Sequence, residues 1–131
     1  MNQTILLVED DPDVLDIVSL LVAEFGYEVF SALNRDEALR VIRKHEPDLI
    51  LMDYHMPGMT FANFILTMMN EFPTVRIVLY SADDVKQIAP LYGIKYWIQK
   101  PFISVQLKSL LTDCLNNDPG TLMLPMHDTR P

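Results

Sequence analysis

The amino-acid sequence predicts a doubly wound α/β fold, a five-stranded parallel sheet with helices on both faces. Three observations predict it. Short apolar runs alternate with amphipathic segments in five βα units. Three of those runs, 4–9, 48–53 and 75–80, are almost wholly apolar, as strands buried on both faces are. The other two, 27–32 and 95–100, mix in charged and polar residues and suit the sheet edges. With right-handed crossovers this polarity gives strand order 2-1-3-4-5, a flavodoxin-like arrangement.

Each element has a local reason. TILLVE (4–9) is a buried strand with an acidic end. Asp11 and Pro12 read as N-cap and first helical position, and helical spacing then runs to a stop at Gly26. YEVFSA (27–32) carries Glu28 and reads as an edge strand. Asn34 followed by Glu37 is close to a capping box and opens a helix over 35–45, which Pro47 ends. DLILMD (48–53) leads into a Pro57-Gly58 turn, and Thr60 caps a helix reaching Phe72. VRIVLYS (75–81) is the fourth strand. Pro90 interrupts the next segment (83–92), so the fourth helix is expected to be short or irregular. KYWIQK (95–100) is the last strand, and residues 104–116 the last helix, with Ser104 as its cap. The domain therefore spans 1–117. The Pro-rich tail 118–131 has no period and is expected to lack fixed order, unless its LMLP patch docks on the domain or on a partner.

Composition narrows the function classes. The chain has 131 residues, half of them hydrophobic, enough for one core, and a net charge of −8 that disfavours direct nucleic-acid binding. The lone Cys114 cannot form an internal disulfide and suits a reducing compartment. There is no basic leader, and no apolar run approaches the roughly 18 residues that span a bilayer. These features point to a soluble, cytoplasmic protein without membrane partners.

In such a sheet, ligands sit beyond the C-terminal strand ends, where the strand order reverses. The reversal lies between the first strand, ending Glu9-Asp10-Asp11, and the third, ending Asp53. Asp11 is accounted for as a cap. Glu9, Asp10 and Asp53 should share one crevice, where like charges repel unless a cation sits among them. Hard carboxylate oxygens without Cys or His favour Mg2+. Ser81 ends the fourth strand and Lys100 the fifth, at the same rim. Carboxylates, a metal, a hydroxyl and an ammonium are together what a phosphoryl group requires. Asp53, left accessible by the turn after it, is the expected nucleophile.

LLVEDDP (6–12), LILMDYHMPGM (49–59), IVLYSAD (77–83) and YWIQKPF (96–102) together resemble the receiver domain of two-component response regulators, over about residues 3–116. The resemblance implies that Asp53 takes a phosphoryl group from a histidine kinase or a histidine phosphotransfer protein. It implies that Glu9, Asp10 and Asp53 hold Mg2+ with the backbone carbonyl of His55. It also implies a cis bond before Pro101 and a switch in which Ser81 moves toward the phosphoryl group while Trp97 turns inward. His55 and Asp83 would flank that group and tune its lifetime.

The sequence departs from the family pattern in places. Thr60 and Phe61 stand where the family usually has Asp-Gly, and the stretch from Ser81 to Lys100 is shorter by nearly one helical turn. Trp97 is larger than the usual Tyr or Phe. No DNA-binding or enzymatic domain follows, so the chain reads as a stand-alone receiver or one taken from a longer protein, with its output partner unspecified. Two rivals remain. A dehalogenase-type phosphohydrolase would want an aspartate where His55 stands, and a phosphorylation-independent pseudo-receiver would serve only as a protein-interaction module.

Overall fold

The computed structural model describes residues 2–82, 84–117 and 120–125. Its elements are β1 (Thr4–Val8), α1 (Pro12–Glu24), β2 (Glu28–Ala32), α2 (Arg35–His45), β3 (Leu49–Asp53), α3 (Phe61–Glu71), β4 (Arg76–Ser81), α4 (Val85–Ile88), β5 (Tyr96–Gln99) and α5 (Ser104–Asn116). A 3₁₀ turn over Ala89–Tyr92 continues α4. All strand pairs are parallel and the order is β2-β1-β3-β4-β5. The order inferred from strand polarity is the one observed.

Side-chain alternation divides the core between the two faces of the sheet. Ile5, Leu7, Leu49, Leu51, Val78 and Tyr80 meet α1 and α5 on one side. Leu6, Val8, Ile50, Met52, Ile77 and Leu79 meet α2, α3 and α4 on the other. All five residues of β3 are buried, whereas β2 and β5 are only partly so, which is why the mixed sequences lie at the edges.

The helix starts follow their caps. Asp11 accepts from the N–H groups of Asp13 and Val14 at 3.0 and 3.4 Å, Asn34 from Glu37 at 2.8 Å, and Thr60 from Asn63 at 3.1 Å. At α5 the expectation fails. Ser104 is the first helical residue, and Ile103 is the cap position, its N–H satisfied by the Gln106 side chain at 3.1 Å. Gln106 thus supplies the half of a capping box that reaches back to the cap residue's own N–H, which needs no hydroxyl at the cap.

The fourth helix is short, as expected. Pro90 enters at the start of the 3₁₀ turn, and Gly93 ends that turn at φ +73, a left-handed conformation. Residues 120–125, within the stretch expected to lack fixed order, lie against this turn. The Met123 N–H donates to the Tyr92 carbonyl at 3.0 Å, and Leu122 is buried in the core beside Ile94 and Tyr92. Residues 118, 119 and 126–131 lie outside the described residues. A Cβ on Gly93 would collide with the Thr121 backbone carbonyl, so both φ and space require glycine there. Gly93→Ala should therefore cost about 1–3 kcal/mol, and Leu122→Ala about 2 kcal/mol or more from lost burial. Urea denaturation followed by circular dichroism reads both, and midpoints unchanged from wild type would refute the docked arrangement.

Candidate functional site

β1 and β3 are hydrogen-bonded neighbours, so their C-terminal ends come together. Glu9 follows the last residue of β1, and its N–H donates to the Ala32 carbonyl of β2 at 3.1 Å. Asp53 is the last residue of β3. One carboxylate oxygen from each of Glu9, Asp10 and Asp53 lies within 4.8 Å of the others, with Glu9 and Asp53 buried and Asp10 exposed. All three are hard oxygen donors, a set that fits Mg2+ completed by water and backbone oxygen.

β5 brings the ammonium. The Lys100 Nζ sits 3.0 Å from Asp53 Oδ2 and 3.5 Å from Glu9 Oε1, bridging the two buried acids. The Lys100 N–H donates to the Ser81 carbonyl at 2.7 Å, which fixes this corner to the end of β4. The Ser81 hydroxyl is buried and has no hydrogen-bond partner among the described residues. A buried hydroxyl left unpaired is costly, and an incoming acceptor oxygen would satisfy it. The His55 N–H donates to Asp53 Oδ1 at 3.1 Å. The His55 ring is exposed and pairs with Asp84 at 3.1 Å. The Lys100–Pro101 bond is cis. Trp97 is half-buried on the α3 and α4 side of the sheet, beside Leu79 in register. Asp83 lies outside the described residues.

Two contributors escaped the sequence reading. Tyr80, fully buried, donates its hydroxyl to the Val8 carbonyl at 3.4 Å and lies 4.6 Å from Lys100 Nζ at its ring centroid. It therefore supports both the β1 end and the ammonium. Burial, reinforced by the nearby acids, pushes its hydroxyl pKa far up, so it stays a neutral donor. Arg35 is the other. It is only 2% exposed, and its guanidinium donates to the carbonyls of Met59 at 2.9 Å, Tyr54 at 2.6 Å and Asp53 at 3.4 Å. Burial pulls its pKa below the ordinary value while Tyr54, Asp53, Tyr92 and Asp10 oppose that, and it remains a cation. One signal was available. Arg35 is the first helical residue of α2, where the helix dipole disfavours a cation.

The crowding is visible in Glu9. Burial, aided by the adjacent Asp53 carboxylate and opposed by Lys100, raises its pKa from 4.5 to about 7. Between those two values the native state holds a proton that the unfolded chain has released, so stability from this group is full below 4.5 and is lost as pH rises through 7. In metal-free buffer, wild type should lose stability relative to Glu9→Gln as pH climbs from about 4.5 to beyond 7. Denaturant titrations across that range measure it, and parallel profiles for the two proteins would contradict the assignment.

Comparison with known proteins agrees with this geometry. Residues 5–112 match the response regulator receiver domain family. The chain is 30% identical over 105 residues to Sporulation initiation phosphotransferase F of Bacillus subtilis, covering 78% of this chain and 85% of that protein. It is 32% identical over 127 residues to the Glycerol metabolism activator of Pseudomonas putida, covering 92% of this chain and 56% of that one. The chain spans about half the length of several curated relatives it matches. Among solved structures, the Vibrio cholerae chemotaxis protein CheY4 superposes with TM-score 0.77 at 28% identity, over 87% of this chain and 99% of that one. The rim of acids, hydroxyl and lysine therefore sits in a chain that belongs to the response regulator receiver domain family, a phosphoacceptor signalling module rather than a turnover enzyme.

Proposed function

We propose that Asp53 accepts a phosphoryl group from a phosphohistidine on a histidine kinase or phosphotransfer protein, in a cytoplasmic signalling relay. The observation that carries this reading is the Asp53 carboxylate itself. It is held between the His55 N–H and the Lys100 ammonium, beside two further acids and a buried Ser81 hydroxyl with no partner among the described residues. An Asp53 oxygen attacks phosphorus, the phosphorus–nitrogen bond breaks, and the donor histidine leaves as imidazole. Lys100 neutralises a phosphoryl oxygen, and the Ser81 hydroxyl donates to another. Mg2+ held by Glu9, Asp10, Asp53 and the His55 carbonyl would supply further charge neutralisation at the transferring group. Electrostatic placement of this kind is the main catalytic resource in phosphoryl transfer.

Ser81 drawn toward the phosphoryl group would vacate space near β5, and Trp97, half-buried beside Leu79, is the side chain placed to respond. The surface so altered is the one an output protein would read. The exposed His55 ring, two residues past Asp53, pairs with Asp84, and His55, with Asp83, would set the rate of water attack on the acyl phosphate.

Incubation with a small-molecule phosphodonor and Mg2+, read by intact mass, tests the assignment. Wild type should gain one phosphoryl group and Asp53→Asn none. Lys100→Ala should label about 10²-fold more slowly. Labelling that survives in Asp53→Asn would refute the acceptor assignment, steady turnover of an organic phosphate would indicate a hydrolase, and no labelling at all would leave a protein-interaction module. His55→Ala should shorten the phosphoryl lifetime by opening the rim to water; an unaltered lifetime removes His55 from that role.

A further inference from the structure

Arg35 is a buried cation with an unusual set of neighbours. Removing a guanidinium from water costs several kcal/mol unless its charge and protons are met. Here Nη1 and Nη2 donate to the carbonyls of Asp53, Tyr54 and Met59 and the Phe61 ring lies 5.3 Å from the guanidinium carbon, while Nε has no hydrogen-bond partner among the described residues. Those carbonyls straddle His55, Met56, Pro57 and Gly58, the turn that joins β3 to α3. Gly58 has φ +91, so the turn contains a residue with wide conformational freedom. Two successive carbonyls before the turn and one after it are thus tied to a single rigid fork on α2. A lysine, with one compact charge, could not span them.

Phe61 completes the arrangement. It is buried, meets Tyr54 and Tyr92 edge-to-face at 5.3 and 4.8 Å, and closes over Arg35. The aromatic that departs from the family's turn pattern is therefore the lid of the arginine's pocket.

We propose that Arg35 is a positioning residue for the phosphoacceptor site: by clamping both ends of the 54–59 turn it fixes the His55 backbone, and with it the affinity of the carboxylate cluster for Mg2+. This rests on the function proposed above for Asp53, but its first consequence does not. The clamp should hold the turn in the metal-free protein, before any phosphoryl chemistry.

The test compares Arg35→Met, Arg35→Lys and a remote core variant, Leu111→Ala, with wild type in the full chain. Amide hydrogen exchange without Mg2+ should show residues 55–59 opening faster in Arg35→Met, against unchanged exchange in β1 and β3. Calorimetric Mg2+ titration should give a Kd about tenfold weaker in Arg35→Met, the scale typical when support behind a metal ligand is lost. Arg35→Lys should fall between the two, and it also serves if Arg35→Met fails to fold. Leu111→Ala, buried on the α1 and α5 side of the sheet, should lower thermal stability while leaving the Mg2+ Kd and the turn's exchange near wild type. Turn exchange and Kd in the Arg35 variants equal to wild type would overturn the proposal. So would losses that Leu111→Ala reproduces, since those would be general destabilisation. A wild type that neither binds Mg2+ nor labels at Asp53 would instead overturn the function reading, while the exchange comparison would still decide the clamp.

Discussion

Three carboxylates forced into one crevice must be met by positive charge, and much of this molecule is arranged around that requirement. The hydrogen-bonded adjacency of β1 and β3 creates the crowding, because both strands end in acids and both ends point to the same rim. Lys100 answers it in the protein alone, lying within 3.5 Å of both buried acids. The answer is incomplete, since Glu9 still has its pKa raised to about 7. A site poised in this way favours whatever delivers more positive charge, and a divalent cation does so most directly. The same unmet electrostatic demand that weakens the metal-free fold is what would draw a cation into the site.

Support for the site comes from behind it, on both faces of the sheet. Tyr80 rises from β4 on the α1 and α5 side, holds the Val8 carbonyl and lies beneath Lys100. On the other side, Arg35 reaches from α2 to the backbone after β3, Phe61 packs against it, and Tyr92 packs on Phe61. Tyr92 belongs to the 3₁₀ turn that replaces most of the fourth helix, and its carbonyl receives the Met123 N–H. The departures from the receiver pattern are thus not scattered. Phe61, the shortened α4 and residues 120–125 form one continuous packed region, and it reaches the turn beside Asp53 through Arg35.

Legibility differed with the range of the interactions involved. Helix starts at Asp11, Asn34 and Thr60 were legible because a cap is a contact across three residues. The span of α5 was legible too, but its cap was not, since Ile103 takes the cap position in place of Ser104 and Gln106 reaches back to the Ile103 N–H. Glu9, Asp10, Asp53, Ser81 and Lys100 were legible as a group because each stands at a strand end, and strand order followed from polarity. Arg35 and Tyr80 were not. Their partners lie 18 to 24 and 72 residues away, and nothing local distinguishes a buried arginine from a solvated one beyond its poor fit to the helix dipole.

The sequence by itself determined the strand order, the convergence of the acids at one rim and the shortness of the fourth helix. Apolar periodicity, capping and proline act within a few residues, so they can be read without coordinates. Only the tertiary structure decided that Lys100 lies between Glu9 and Asp53, that the Ser81 hydroxyl has no hydrogen-bond partner among the described residues, and that a guanidinium from α2 is buried behind Asp53. Those outcomes depend on which surfaces meet when the elements pack, and packing is settled by the whole chain at once.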